Sequence, residues 1–260
     1  MTTATAISWG DLGAVSRHYV SRPSYAERAL DLLTLQVRAY CEDPVVADVG
    51  AGTGKLTAML AEQGLTGYAV EPSEGMSSAR PSEGPAVARF EWRRGTAEAT
   101  TLPDDSVDWV CMGTAFHWTD APKALSEFHR ILRPCGFFTA IWDLNDPKDD
   151  ALMREVEALI ESEAPNLKRV QTNIYRLFEK IEAVLQSSGQ FSDLVSLTAP
   201  HVEEMTPTHY VDMWRSYHDV PSQIGMELWN DLLAQVSQRL QGQDLVETHY
   251  RTHAWTVRAV

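Results

Sequence analysis

Apolar and polar positions follow two periods along this chain, and each change of period marks an element. Between residues 26 and 40, Ala29, Leu30, Leu32, Leu33 and Val37 recur at helix spacing and predict an amphipathic helix. Val45-Val46-Ala47-Asp48-Val49 is a short run rich in β-branched residues and reads as a buried strand. It ends in Gly50-Ala51-Gly52-Thr53-Gly54, after which Leu56, Met59 and Leu60 return to helix spacing until Gly64. A second strand over 67–71 leads to a helix after Ser73, cut short by Pro81, Gly84 and Pro85. A third strand at 90–94, a fourth at Val107–Met112, a helix over 121–132 and a fifth strand at Phe137–Trp142 continue the alternation. In that helix Ala124, Leu125, Phe128 and Ile131 share the inward face. Strands alternating with helices predict a mainly parallel, doubly wound sheet.

After strand five the rhythm changes. Residues 149–187 are helical, interrupted at Pro165, and carry Tyr175 and Phe178 among their apolar positions. A sixth strand is predicted at Leu194–Leu197. Thr206 is an N-cap candidate with Pro207 in the first turn of a helix carrying Tyr210, Met213, Trp214 and Tyr217. Another helix spans Ser222–Leu240, and a last strand, Thr248–Val257, is expected to pair antiparallel near strand six and end the sheet. The stretches 149–187 and 206–241 exceed what crossovers require and are expected to form a helical cap. The expected organisation is one domain over 1–260, with an arm at 1–25 and a cofactor-binding core at 26–148.

The glycine turn narrows the chemistry. A triphosphate loop needs G-x-x-x-x-G-K-[ST]; here Val49 stands at the first glycine and Leu56 at the Ser/Thr. A dinucleotide loop needs G-x-G-x-x-G, and Lys55 occupies its third glycine position. What remains is G-x-G-x-G, followed by Glu71 at the end of the next strand, about where a ribose-binding carboxylate belongs. A carboxylate has enough lone pairs to accept from both ribose hydroxyls. Gly95-Thr96-Ala97-Glu98 precedes strand four, Ala115-Phe116-His117-Trp118 follows it, and Arg133-Pro134-Cys135-Gly136 precedes strand five.

Taken together these segments resemble the class I S-adenosylmethionine-dependent methyltransferases, and in particular the small-molecule subgroup with Ala-Phe-His-Trp after strand four, which includes trans-aconitate-type carboxyl methyltransferases. The resemblance implies a Rossmann-like sheet of seven strands with S-adenosyl-L-methionine as cofactor. It implies that Gly50, Ala51, Gly52, Thr53 and Gly54 wrap the ribose and methionine part, with Asp48 at the strand end, and that Glu71 and Pro72 hold the ribose, with Met76 beside them. Thr96, Ala97 and Glu98 fall at the adenine edge, and many members carry Asp where Thr96 stands. Thr114, Ala115 and Phe116 complete the cofactor wall, over which Tyr19 and Arg22 of the arm close.

The methyl acceptor must approach from beyond the carboxyl ends of the strands. There His117 is the obvious neutral-pH group, either a general base or a donor that orients the acceptor. Trp118, Trp142, Tyr175, Trp214, Tyr217 and His218 are the candidate acceptor pocket, with Trp214, Tyr217 and His218 on one helix face. Asp143, Asn145 and Asp146 would give only half of a hard-cation site, so no metal is expected.

Composition limits the partners. Lys and Arg number 22 against 36 Asp and Glu, a formal charge of −14, which disfavours nucleic acid and anionic lipid as targets. No apolar run approaches the roughly 18 residues of a membrane span. Cys41, Cys111 and Cys135 lack paired spacing and read as free thiols in a reducing, cytoplasmic setting. The expected activity is methyl transfer to a small acceptor, with O-methylation of a carboxylate or hydroxyl ahead of N- or C-methylation, by a monomer or homodimer. The alternative is a protein of the same fold that binds the cofactor without methylating, or a regulatory one.

Overall fold

The computed structural model describes residues 21–168, 170–217 and 219–260. Tyr19, His218 and the arm before residue 21 lie outside them.

Helix α1 (Glu27–Arg38) precedes β1 (Val45–Val49), and α2 (Lys55–Glu62) starts directly from the glycine turn. β2 (Thr66–Val70) leads into α3 (Glu74–Ser77), whose N-terminus is capped by the Ser73 hydroxyl accepting from Met76 N. α4 (Pro85–Arg89), β3 (Phe90–Arg93), β4 (Val107–Gly113), α5 (Ala121–Ile131) and β5 (Leu132–Asn145) complete the parallel half. α5 begins at Asp120, which accepts from Lys123 N, and buries Leu125, Phe128 and Ile131 against the sheet. Each of those burials is worth about 2 kcal/mol.

Three helices follow, α6 (Ala151–Glu163), α7 (Val170–Phe178) and α8 (Ile181–Gln186); then come β6 (Phe191–Met205), α9 (Pro207–Arg215), α10 (Pro221–Ile224), α11 (Met226–Arg239) and β7 (Val246–Ala259). The sheet has seven strands in the order β3-β2-β1-β4-β5-β7-β6. β1 to β5 run parallel, and β7 is antiparallel to both β5 and β6. The mainly parallel, doubly wound sheet expected from the alternation is therefore present.

Three details correct the sequence reading. β7 does not end the sheet: it lies between β5 and β6, and β6 forms the edge. Pro200 in β6 has no N–H to give a further strand, which suits that position. β5 is longer than expected because Leu132 already opposes Val107; the register then slips, with Cys135 at φ +67°, and resumes at Phe137 opposite Trp109. Finally, α9 stops at Arg215, so Tyr217 is beyond the helix rather than on its face.

Two clusters sandwich the sheet. Phe116, Phe128, Phe138, Trp142, Ile181 and Leu185 fill one side; Leu30, Leu33, Leu56, Leu60, Trp109 and Ile141 fill the other. The expected cap divides between them and a third cluster. α7 and α8 pack on the first side of the sheet through Ile174, Ile181 and Leu185. α6 joins α9 and α11 in a separate core of Val156, Ile160, Tyr210, Trp214, Trp229 and Leu233. Among the described residues no helix is long and apolar enough to cross a membrane.

Candidate functional site

A cleft opens beyond the carboxyl ends of β1, β2, β4 and β5, and the glycine turn forms its floor. Gly50, Gly52 and Gly54 all have positive φ, +73°, +59° and +86°. At Gly50 a second constraint applies, since a Cβ would lie 2.9 Å from that of Ala115. Gly50 N and Ala51 N both donate to Val70 O, which ties the turn to the end of β2. Gly50, Ala51, Gly52 and Thr53 line the cleft, whereas Gly54 backs onto the Trp92 ring.

Glu71 follows β2 and is buried. Its Oε2 accepts from Gly52 N at 2.8 Å and its Oε1 from Ser73 N at 2.9 Å. Burial raises its pKa, and these two backbone donors pull it back. A carboxylate offers about four acceptor sites, so roughly two remain toward the cleft. Asp48 is 1% exposed. Its Oδ2 accepts from Thr57 Oγ1 at 2.5 Å, and its Oδ1 has no partner. Burial pushes its pKa up to about 7, the Thr57 hydroxyl opposing and Glu71 adding to it.

Around the rim stand Pro72 and Met76 after β2, and Thr96, Ala97 and Glu98 after β3. Thr96 and Ala99 exchange backbone hydrogen bonds that close this turn, and Glu98 Oε1 accepts from Asp120 N at 2.8 Å. On the opposite wall Thr114 and Ala115 face the cleft, but Phe116 is turned into the core against Phe138.

His117 lines the cleft with Trp118. Trp142 Nε1 lies 3.3 Å from His117 Nδ1. An indole nitrogen can only donate, so Nδ1 accepts and the proton sits on Nε2. Burial, reinforced by the positive charge of Arg22, lowers the His117 pKa to about 4. A neutral ring whose acceptor nitrogen is already engaged is arranged to donate from Nε2. Of the two roles expected for His117, this geometry favours the donor.

The described part of the arm crosses the cleft. Arg22 Nε donates to Ser216 Oγ at 3.0 Å, and its guanidinium lies 4.9 Å from the centre of the Tyr217 ring. Lys55 Nζ donates to Arg22 O, Ser24 N to Glu203 Oε1, Ala26 N to Thr252 Oγ1, and Tyr25 OH pairs with Thr114 Oγ1. The arm thus joins the glycine-turn helix to β4, β6 and β7.

The acceptor end differs from expectation. Trp118 and Tyr217 line the cleft. Trp142 is core, Trp214 is buried between Tyr210 and Trp229, and the half-exposed Tyr175 packs on Phe178 outside the cleft. Their helix periodicity reported burial, not access to the cleft. Lys55, Asp219 and Tyr250, which were not predicted there, take their place, together with Ile174 and with Tyr25, Asp143 and Asn145 from the arm and the end of strand five, segments expected near the acceptor. The available signal was the pair of polar residues, Asp143 and Asn145, closing an otherwise apolar strand at its carboxyl end. Among the described residues no three His, Cys, Asp or Glu side chains gather as a metal site would require.

A strand–glycine turn–helix unit with an acidic residue closing the second strand, set in this sheet order, is a Rossmann-like, doubly wound arrangement. Residues 47–140 match the family model of a methyltransferase domain. An uncharacterized methyltransferase of Mycobacterium bovis is 38% identical over 144 residues, 55% of each chain. One from Schizosaccharomyces pombe is 32% identical over 133 residues, 51% of each chain. The chain thus spans about half the length of these curated relatives. Among solved structures, a candidate type II methyltransferase from Anaeromyxobacter dehalogenans superposes with a TM-score of 0.55 at 20% identity, covering 92% of this chain and 97% of that one. The YcgJ protein of Bacillus subtilis gives 0.50 at 18% identity over 87% and 97%.

Proposed function

We propose that this protein transfers a methyl group from S-adenosylmethionine to a small-molecule oxygen acceptor in the cytoplasm. The observation that carries the reading is Glu71, fixed by Gly52 N and Ser73 N so that its remaining lone pairs face the cleft beside the glycine turn. That is the placement a ribose diol requires. Asp48 supports it: a buried carboxylate oxygen without a partner, at the edge of a Cβ-free turn, suits the ammonium of the methionine part.

When bound, the cofactor supplies a sulfonium methyl electrophile, and the chain supplies position and a dry site. Glu71 accepts from the ribose, and Asp48 Oδ1 accepts from the ammonium. Thr96, Ala97 and Glu98 border the adenine, and Arg22 with the rest of the arm covers the methionine part. His117 donates its Nε2 proton toward the acceptor and orients it. Arg22, Tyr217 and Trp118 screen the cleft from water, which displacement at a sulfonium favours. A small acceptor accords with the formal charge of −14 and with an acceptor end closed by the arm and Tyr217.

The test is calorimetric titration with S-adenosylmethionine and S-adenosylhomocysteine, followed by a homocysteine-release assay over phenols, carboxylates, amines and carbon acids. Failure to bind either cofactor form would remove the reading. Turnover confined to amines or carbon acids would retain the cofactor assignment and reject the oxygen acceptor.

A further inference from the structure

The end of β5 and the facing part of β7 carry buried polar atoms without a hydrogen-bond partner among the described residues. Asn145 and Tyr250 are register partners on adjacent antiparallel strands, as are Asp143 and Thr252. Partners in register, and residues two apart on one strand, point to the same face, so Asp143, Asn145, Tyr250 and Thr252 share one. Asn145 is 7% exposed and Tyr250 2%. The Asp143 side chain is 6% exposed. Asn145 Oδ1 accepts from Tyr217 OH at 3.1 Å, and its Nδ2 has no partner. Asp143 Oδ1 accepts from Thr252 Oγ1 at 2.7 Å, and its Oδ2 has no hydrogen-bond partner. Tyr250 OH has none within hydrogen-bond distance among the described residues; burial raises its pKa, and the Thr248 hydroxyl is near enough to lower it. All three side chains line the cleft. Each such atom costs about 1–3 kcal/mol if left without a partner, so their convergence marks a place where a ligand is seated.

Resting on the methyl-transfer reading above, we propose that Asp143, Asn145 and Tyr250 form the acceptor subsite, that they take a phenol- or enol-type hydroxyl, and that Asp143 Oδ2 receives its proton. The match is one of donor and acceptor count. Asn145 Nδ2 and Tyr250 OH offer two donors, and Asp143 Oδ2 offers one acceptor. A hydroxyl carries one donor and two acceptor sites, the complement of that set, and the O–H electron pair freed as Asp143 takes the proton is the pair that attacks the methyl carbon. A carboxylate has no proton for Asp143, and an ammonium has no lone pair for Asn145 or Tyr250.

In the step itself the acceptor O–H bond breaks toward Asp143 Oδ2 while the oxygen forms its bond to the methyl carbon. The electron pair of the carbon–sulfur bond leaves with sulfur, which becomes a neutral thioether. Asp143 later releases its proton to solvent, so atoms and charge balance.

The surroundings suit a proton acceptor. Burial holds the Asp143 carboxyl well above the usual carboxylate range; Thr252 pulls it down, Glu203 pushes it up, and Lys55 pulls it down again. His201 Nε2 is 3.7 Å from Oδ2 and is turned to Ser24 O, 3.1 Å away; Arg22 and Asp219 also line the cleft. Asp143 Oδ2 is the carboxylate oxygen beside the Asn145 and Tyr250 donors, whereas His117 Nδ1 is already occupied by Trp142.

Calorimetry separates this subsite from the cofactor assignment. S-adenosylhomocysteine is titrated first, and phenol and benzoate are then titrated into the complex. Phenol is expected to bind about tenfold more tightly than benzoate. Asp143→Asn should weaken phenol about tenfold, with S-adenosylhomocysteine affinity unchanged. Tyr250→Phe, which keeps the packing, should weaken phenol without moving the Asp143 carboxyl titration followed by carbon-13 NMR. Benzoate binding as well as phenol, unchanged phenol affinity in Asp143→Asn, or no phenol binding to a complex that holds S-adenosylhomocysteine would each overturn the subsite alone. Absence of S-adenosylhomocysteine binding would overturn both readings.

Discussion

Trp142 Nε1 donates to His117 Nδ1 across 3.3 Å, and this contact sets which nitrogen of the imidazole faces outward with a proton. A neutral His117 with a pKa near 4 does not titrate between pH 5 and 9. His117→Gln, whose amide can replace the Nε2 donor, is therefore expected to retain most activity. His117→Ala should lose about tenfold in kcat, the worth of one oriented hydrogen bond. Nitrogen-15 NMR of the imidazole should report the Nε2–H tautomer throughout that range. In Trp142→Phe the tautomers should mix; an unchanged spectrum in that variant would refute the role of Trp142.

The cofactor site has its own test. Glu71→Ala removes the acceptor for Gly52 N, for Ser73 N and for the ribose, and should weaken S-adenosylhomocysteine binding by about 1–3 kcal/mol. Glu71→Gln keeps one acceptor oxygen and should fall between the two. Equal calorimetric affinities across the series would exclude Glu71 from the site.

Asp48 ties stability to pH in a definite direction. Its folded pKa, about 7, lies above the ordinary aspartate value of 3.8, so between these values the folded state holds more protons than the unfolded one. Stability from this group is thus present at low pH and lost as pH rises through the folded pKa, by about 4 kcal/mol in full. Asp48→Asn removes the loss, so its melting temperature relative to wild type should rise between about pH 5 and pH 8. In wild type, cofactor binding near pH 6 should release a proton, because an ammonium beside Asp48 favours the carboxylate. Calorimetry in buffers of different ionisation enthalpy measures that proton, and its absence would place the ammonium elsewhere.

The arm gives a fourth expectation. Arg22→Ala removes the bonds to Ser216 and the stacking on Tyr217, so amide exchange over residues 21–26 should speed up. If the arm covers the methionine part, S-adenosylhomocysteine should slow that exchange in wild type and do so less in the variant. Identical protection with and without ligand would detach the arm from the cleft.

The half of the cleft proposed for the cofactor was legible in the sequence because its determinants are local. Gly50 and Gly52 stand within three residues of the strand they terminate, and Glu71 closes the next strand, so spacing alone carries them. The half proposed for the acceptor was less legible because its members meet only through the sheet. Tyr250 reaches Asn145 because β7 inserts between β5 and β6, a strand order that alternation within β7 does not encode. Trp142 and Trp214 were expected in the pocket and are core, since an apolar stripe records burial without saying which neighbour provides it. Lys55 entered the sequence reading only as a departure from the dinucleotide motif, yet its ammonium reaches Arg22 O and links the glycine-turn helix to the arm.

β5 is the seam of the molecule. The methyltransferase-domain match ends at residue 140, five residues before that strand does. Asp48, Gly50, Gly52 and Glu71 all precede that point; Asp143, Asn145, Tyr217 and Tyr250 all follow it. Only the first group braces the glycine turn, and only the second projects from the C-terminal strands and the loop after α9. On the proposed reading, exchanging everything after residue 140 between chains of this fold should alter acceptor choice against a retained His117 and Trp118, while leaving Glu71 and the glycine turn intact.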